Sequence, residues 1–253
     1  MPEINAEINK EINNKQDNSQ FKEEDKIPEP HLKSGKYIRD VVFGANDGLV
    51  SILALVAGVA GGVANNKIIL LAGIAGTIAG TISMALGAYI STKSHREYVQ
   101  SEIKRERWEI DNDPEKEKKE LYDFYSKKGF KGKELDNVVK VISSNKEIML
   151  DVMVREELGL DTEPNNPLAA GTLAGAAFLV GSLPPIIPFF FEISNALLIA
   201  VIGSLIGLFI LGALKTIITK KNALVLGLES IFVGGVAMAI TYYVGTLFRV
   251  AGV

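Results

Sequence analysis

The first chemistry in this chain sits inside an apolar run. The stretch VVFGANDGLVSILALVAG, from Val41 to Gly58, contains Asn46 and Asp47. On insertion scales an Asp at the centre of a membrane helix costs about 2.5–3.5 kcal/mol, so an intramembrane carboxylate marks a functional position. Asp47 is six residues past Val41, which places it roughly 9 Å along a helix. A second apolar run returns antiparallel, and Met84, eight residues before Thr92, reaches a similar depth. A carboxylate and a thioether at one level suit a transition metal, because Mg²⁺ and Ca²⁺ prefer shells made of oxygen alone. Taken by itself, Met84 reads as packing.

A second group of candidate ligands lies in a charged stretch. Glu102, Glu106 and Glu109 follow i, i+4, i+7 and so share one helix face. Asp113-Pro114 is a start signal for the next helix, where Glu117 and Glu120 share a face at i, i+3. Farther on, KELDNVVKVISSNKEIMLDVMVREELGL reads as one helix with Met149, Met153 and Glu157 on a stripe. Clustered carboxylates repel one another, and a divalent cation relieves that repulsion. A solvated Glu/Lys bundle with its methionines in the core fits the same pattern, so both readings stand on spacing alone.

The elements that must carry these residues follow from the charge distribution. Residues 41–91 and 165–253 are almost free of charge, while 1–40 and 92–164 hold most of it. A spanning helix needs about 20 apolar residues, and five such runs are present, at about 41–64, 68–91, 168–190, 194–214 and 222–248. The expected fold is an all-α membrane protein: five transmembrane helices with a three-helix cytoplasmic insert between the second and third. Its divisions are a disordered polar tail (1–36), helices one and two (37–93), the insert (94–164) and helices three to five (165–253). Asn166-Pro167 caps and starts the third span. The three prolines of SLPPIIPFFFE should end it. The insert carries more than half of the 27 Lys and Arg residues, and Lys215, Lys220 and Lys221 join spans four and five. The bias of basic residues predicts an N-terminus and insert in the cytoplasm and a C-terminus outside.

Other features are exclusions or open readings. The polar N-terminal stretch lacks the apolar core of a signal peptide. There is no cysteine, which excludes disulfides and thiolate sites. No basic stripe with interleaved aromatics points to nucleic acid. Small-xxx-small pairs at Gly58/Gly62, Gly76/Gly80, Gly171/Gly175 and Gly203/Gly207 allow close helix approach, within the chain or across a dimer. Glu229 is an additional carboxylate in the fifth span, read as buried. His31 and His95 are isolated. No Ser/His/Asp triad, P-loop or dinucleotide motif appears, so an enzyme is not expected, and neither is an organic cofactor.

With those residues in view, FGANDGLVS, GTISMALGAYIS and a Glu-rich insert ending in MVREELGL resemble the vacuolar iron transporter family. The resemblance runs from about residue 37 to the C-terminus. It implies a homodimer of five-helix subunits that moves Fe²⁺, and Mn²⁺ as a second substrate, out of the cytosol in exchange for protons. It implies a transport path through Asp47 and Met84, beside Asn46. By position it implies an insert metal site from Glu106, Glu109, Glu117, Glu120, Met153 and Glu157, with Glu102 as a looser member. The membrane would be the plasma membrane of a prokaryote or the vacuolar membrane of a eukaryote. Two positions depart from the pattern. Ala88 stands where the family motif often carries Glu, and Val154 where plant members have a second Met. The rival reading is a membrane-anchored metal buffer or sensor that binds without transport.

Overall fold

A computed structural model describes residues 35–160, 165–191, 193–216 and 220–249 of the chain. The polar tail read over 1–36 lies outside them apart from its last two residues, which open the first helix. The described residues form α-helices: α1 (Gly35–Gly62), α2 (Asn66–Asn112), α3 (Pro114–Lys127), α4 (Gly132–Ser143), α5 (Lys146–Glu156), α6 (Pro167–Gly181), α7 (Leu183–Phe190), α8 (Ala196–Leu214) and α9 (Ala223–Leu247). By length and apolarity α1, α2, α8 and α9 are able to cross a membrane, and α6 with α7 makes a fifth span if that bent pair counts as one.

Asparagine starts several of these helices. The side chains of Asn65, Asn145, Asn166 and Asn222 accept backbone N–H groups in the first turns of α2, α5, α6 and α9, satisfying donors that have no partner within the helix. The Asn166-Pro167 start is therefore as expected. The proline segment behaves differently from expectation. The helix ends at Gly181 and restarts at Leu183 with a bend of 44°. Pro184 and Pro185 fall in the first turn of α7, where their missing N–H groups cost nothing, so they begin a helix instead of stopping one.

The insert also differs from the three-helix expectation. Its first helix is not separate: α2 continues unbroken for 47 residues, about 70 Å, well beyond the roughly 30 Å hydrocarbon core of a bilayer. Its last predicted helix is two, α4 and α5, because Asn145 caps a new start. The charged end of α2 is thus a stalk on which α3 and α5 pack, with α4 packed in turn on α3 and α5. Their shared core contains Ile110, Leu121, Val139, Ile142, Met149, Leu150, Met153 and Val154.

Among the apolar helices, α1 is central. It meets α6 through Gly44 and Gly48, α9 through Gly58 and Gly61, α2 through Leu55 against Gly76, and α8 through Leu49 against Gly207. At Gly48 the approach is so close that a Cβ would overlap the carbonyl of Phe178. Gly171 and Gly175 face Ala85 of α2, so most of the small-residue pairs serve packing within the chain. Among the described residues, a Cβ on Gly203 would meet nothing within 4 Å. The outward faces are apolar: Ile78, Ile82, Leu86 and Ile90 form an exposed stripe at i, i+4 on α2, a surface suited to lipid. Glu229 is exposed and not buried as read, on the side of α9 away from buried Gly227, Ser230 and Gly234.

Candidate functional site

Two places in the fold gather the candidate ligands. The first is a cleft of about 390 Å³ between α1, α2 and α6. Asp47 and Met84, which share no helix, both line it. The Gly48–Phe178 approach lets α6 come close enough for Ala174 and Phe178 to form its apolar wall. Oδ1 of Asp47 accepts a hydrogen bond of 2.7 Å from Ser51 Oγ one turn later, which orients the carboxylate. Met84 is half-buried against the apolar core. Asn46 is half-buried beside Asp47 but is not among the cleft-lining residues.

Sequence reasoning missed Asp40. It lines the same cleft with Arg39 and lies seven residues before Asp47, two turns along one face of α1. That i+7 spacing was the available signal. Ala88 also lines the cleft, so this position presents a methyl group and no carboxylate to the space.

The second place is the insert. The link between α2 and α3 is a single residue, Asp113, whose N–H donates to the Glu109 carbonyl at 2.7 Å and whose own carbonyl accepts from Lys116 and Glu117. This tight reversal brings the acidic face of α2 against the start of α3. Ion pairs then fix α5 to the stalk: Arg107 holds Glu147 in a two-bond grip at 2.5 and 3.0 Å, and Lys146 reaches Asp111 at 2.5 Å. The result is two overlapping carboxylate triads, Glu106–Glu109–Glu117 and Glu117–Glu120–Glu157, each with its oxygens within 4.8 Å of one another. Five of the insert residues singled out by position are thereby brought together. Glu102 lies outside both triads. Met153 is fully buried in the insert core, one turn before Glu157.

The electrostatics of this cluster favour a cation. Glu117 is fully buried and Glu106 almost so. Among the described residues, Oε1 of Glu106 and Oε2 of Glu117 find no hydrogen-bond partner. Burial first, then the charges of Glu157 and Glu117, pushes the Glu106 carboxyl up to about 8. Partial desolvation and then the charge of Glu120 raise Glu157 as well, although the residue is exposed. Glu109 moves the other way, held below the ordinary range by its hydrogen bond from Arg105. Lys116 Nζ stands among the acids, 3.3 Å from Glu109, 3.2 Å from Glu117 and 3.3 Å from Glu120. All-carboxylate donors suit a hard or borderline divalent ion at about 2.0–2.2 Å, and buried unpartnered oxygens are what such an ion would satisfy.

Residues 38–246 match the model of the VIT family. The chain belongs to the VIT family. Its relatives include proteins named vacuolar iron transporter 1 from Arabidopsis thaliana, 34% identical over 221 residues that cover 86% of this chain and 88% of that one. The Oryza sativa protein of the same name is 34% identical over 218 residues, 85% of this chain and 86% of the relative. A vacuolar iron transporter of Plasmodium falciparum is 30% identical over 237 residues, 89% and 87% of the two chains. In this VIT-family chain the matched region contains both the cleft and the carboxylate cluster.

Proposed function

We propose that this protein transports divalent transition metal, with Fe²⁺ as first substrate and Mn²⁺ as second, out of the cytosol in exchange for protons. The observation that carries the reading is the meeting of Asp47 and Met84 in one cleft between separate helices. The names of its relatives, vacuolar iron transporters, support iron as the cargo. In this reading the insert gathers metal on Glu106, Glu109, Glu117, Glu120 and Glu157, with Met153 and Glu102 as outlying donors. The cleft then takes it: Asp47 replaces part of the hydration shell, Met84 adds a soft contact that disfavours Ca²⁺ and Mg²⁺, and Asn46 supports the carboxylate from the same turn.

The chain acts as a homodimer in this reading, with insert and N-terminus cytoplasmic and C-terminus outside. No covalent step is involved. The membrane is the vacuolar one in a eukaryote and the plasma membrane in a prokaryote. The test is Fe²⁺ and Mn²⁺ uptake into sealed proteoliposomes. Saturable uptake by wild type that is lost in Asp47→Asn supports transport through the cleft. Metal binding without uptake would favour the buffer or sensor.

A further inference from the structure

We infer that Lys116 is a tethered competitor for the insert metal site: its ammonium occupies the carboxylate cluster when metal is absent and must leave for a divalent ion to enter. The inference rests on the proposed reading of that cluster as a metal site. An ammonium has three N–H donors and no acceptor, and here it pairs with three carboxylates, Glu109, Glu117 and Glu120, at 3.2–3.3 Å. Those three span both triads, with Glu117 common to the two. The cation is therefore at the junction, where an incoming ion would also gain most. A metal ion bound there would place two positive charges within a few ångströms of a third. Repulsion at that distance is strong in a partly desolvated site.

The geometry supplies the way out. The Lys116 side chain is half exposed while Glu117 is fully buried, so the ammonium is held from the solvent side. Its four-carbon stem is flexible and is able to swing into water without moving α3. The unpartnered oxygens of Glu106 and Glu117 show that the ammonium leaves part of the cluster unsatisfied. A monovalent donor at hydrogen-bond distance neutralises less charge than a divalent ion at coordination distance. On this reading the divalent ion replaces the ammonium once its gain from the cluster offsets its own dehydration and the three ion pairs that must break. Lys116 thus sets the threshold concentration at which the insert loads. It also stabilises the empty insert against the mutual repulsion of its acids.

Two consequences of opposite sign follow from removing the ammonium. Metal binding tightens, and the metal-free protein becomes less stable. The experiment is a Mn²⁺ titration by calorimetry, with thermal unfolding, on the full-length protein in detergent. The proteins are wild type, Lys116→Gln, Lys116→Met (which keeps the stem) and Lys119→Gln as a control of equal charge change outside the cluster. A Glu117→Gln/Glu120→Gln protein defines binding that belongs to other sites. Lys116→Gln and Lys116→Met should bind Mn²⁺ about tenfold more tightly, the size of coupling found between groups in one charge network. Their metal-free Tm should fall, and the rise in Tm on adding Mn²⁺ should exceed that of wild type. Lys119→Gln should bind within about twofold of wild type, as exposed charges contribute little. Equal or weaker binding by both Lys116 variants, with wild type binding normally, would overturn the inference alone. Absence of cluster-dependent binding in wild type and variants alike would overturn the metal-site reading and the inference with it.

Discussion

At the scale of single residues, charge and softness separate cleanly at Asp47 and Met84. Asp47→Asn keeps shape and the Ser51 hydrogen bond but removes the charge proposed to attract the cation. Uptake should fall by at least about 100-fold, since even groups that only orient a metal ligand cost 10–100-fold. Proteoliposome flux with a check of folding by thermal melt measures this. Met84→Leu conserves volume, so stability should change by less than about 1.5 kcal/mol. Fe²⁺ flux should drop by about tenfold, and flux equal to wild type would leave Met84 as packing. Glu106 brings a pH dependence. Burial and neighbouring acids favour its neutral form until about pH 8. The metal-free fold therefore loses stability as pH rises from the ordinary carboxylate range to about 8, because the folded state holds a proton that the unfolded state gives up. A metal bound at the proposed insert site needs the ionised form and must displace that proton. Apparent Mn²⁺ affinity of the insert should rise about tenfold per pH unit for one displaced proton, then flatten above about pH 8. A pH series of the same calorimetric titration checks both limbs, and Glu106→Gln should flatten the slope.

At the scale of elements, helix packing sets where these groups meet. Gly48 of α1 lies so near the Phe178 carbonyl that a methyl group has no room, and the obstacle is backbone, which does not rotate away. Gly48→Ala should therefore cost about 3 kcal/mol, the upper end for overpacking. It should push α6 from α1 and impair uptake although no ligand is changed. A lowered Tm with lost flux is the expected pair of results. Much of this level was legible in sequence: the apolar runs, the Asn166 cap, and the i, i+4 and i, i+3 spacings that put each pair of glutamates on one face. What was hidden is physical. The continuity of the stalk with α2 is hidden in the sequence because composition changes sharply near Thr92 while backbone hydrogen bonding does not. The α4–α5 break needs only Asn145 turning its side chain to its own N-terminal amides. The convergence of two triads depends on the one-residue link at Asp113, which spacing along separate helices does not encode. Asp40 borders the charged segment, where a carboxylate looks ordinary, and only the cleft places it in the same space as Asp47. The exposure of Glu229 is not encoded locally, because an apolar helix tells neither which side packs nor which faces outward.

At the scale of the whole molecule, the proposed exchange of metal for protons depends on how few carboxylates share the path. Among the described residues Asp47 and Asp40 line the cleft and Ala88 adds no carboxylate, while Glu229 lies outside it, exposed on α9. Metal and proton then compete for one or two acids, which is the minimum requirement for antiport: a site that holds either but not both. On the proposed orientation, protons arriving from outside should displace metal from Asp47 and return the emptied cleft to the cytosolic side. An acidic exterior should speed export, and a gradient in the other direction should slow it. The measurement is metal flux into liposomes loaded with a pH dye, with membrane potential clamped. Metal entry should raise internal pH as protons leave, Asp47→Asn should abolish both signals together, and Asp40→Asn should alter their ratio if the second acid shares the proton. Metal flux that leaves internal pH unmoved and ignores an imposed gradient would identify a uniporter, in which Asp47 binds the cation without exchanging it for a proton.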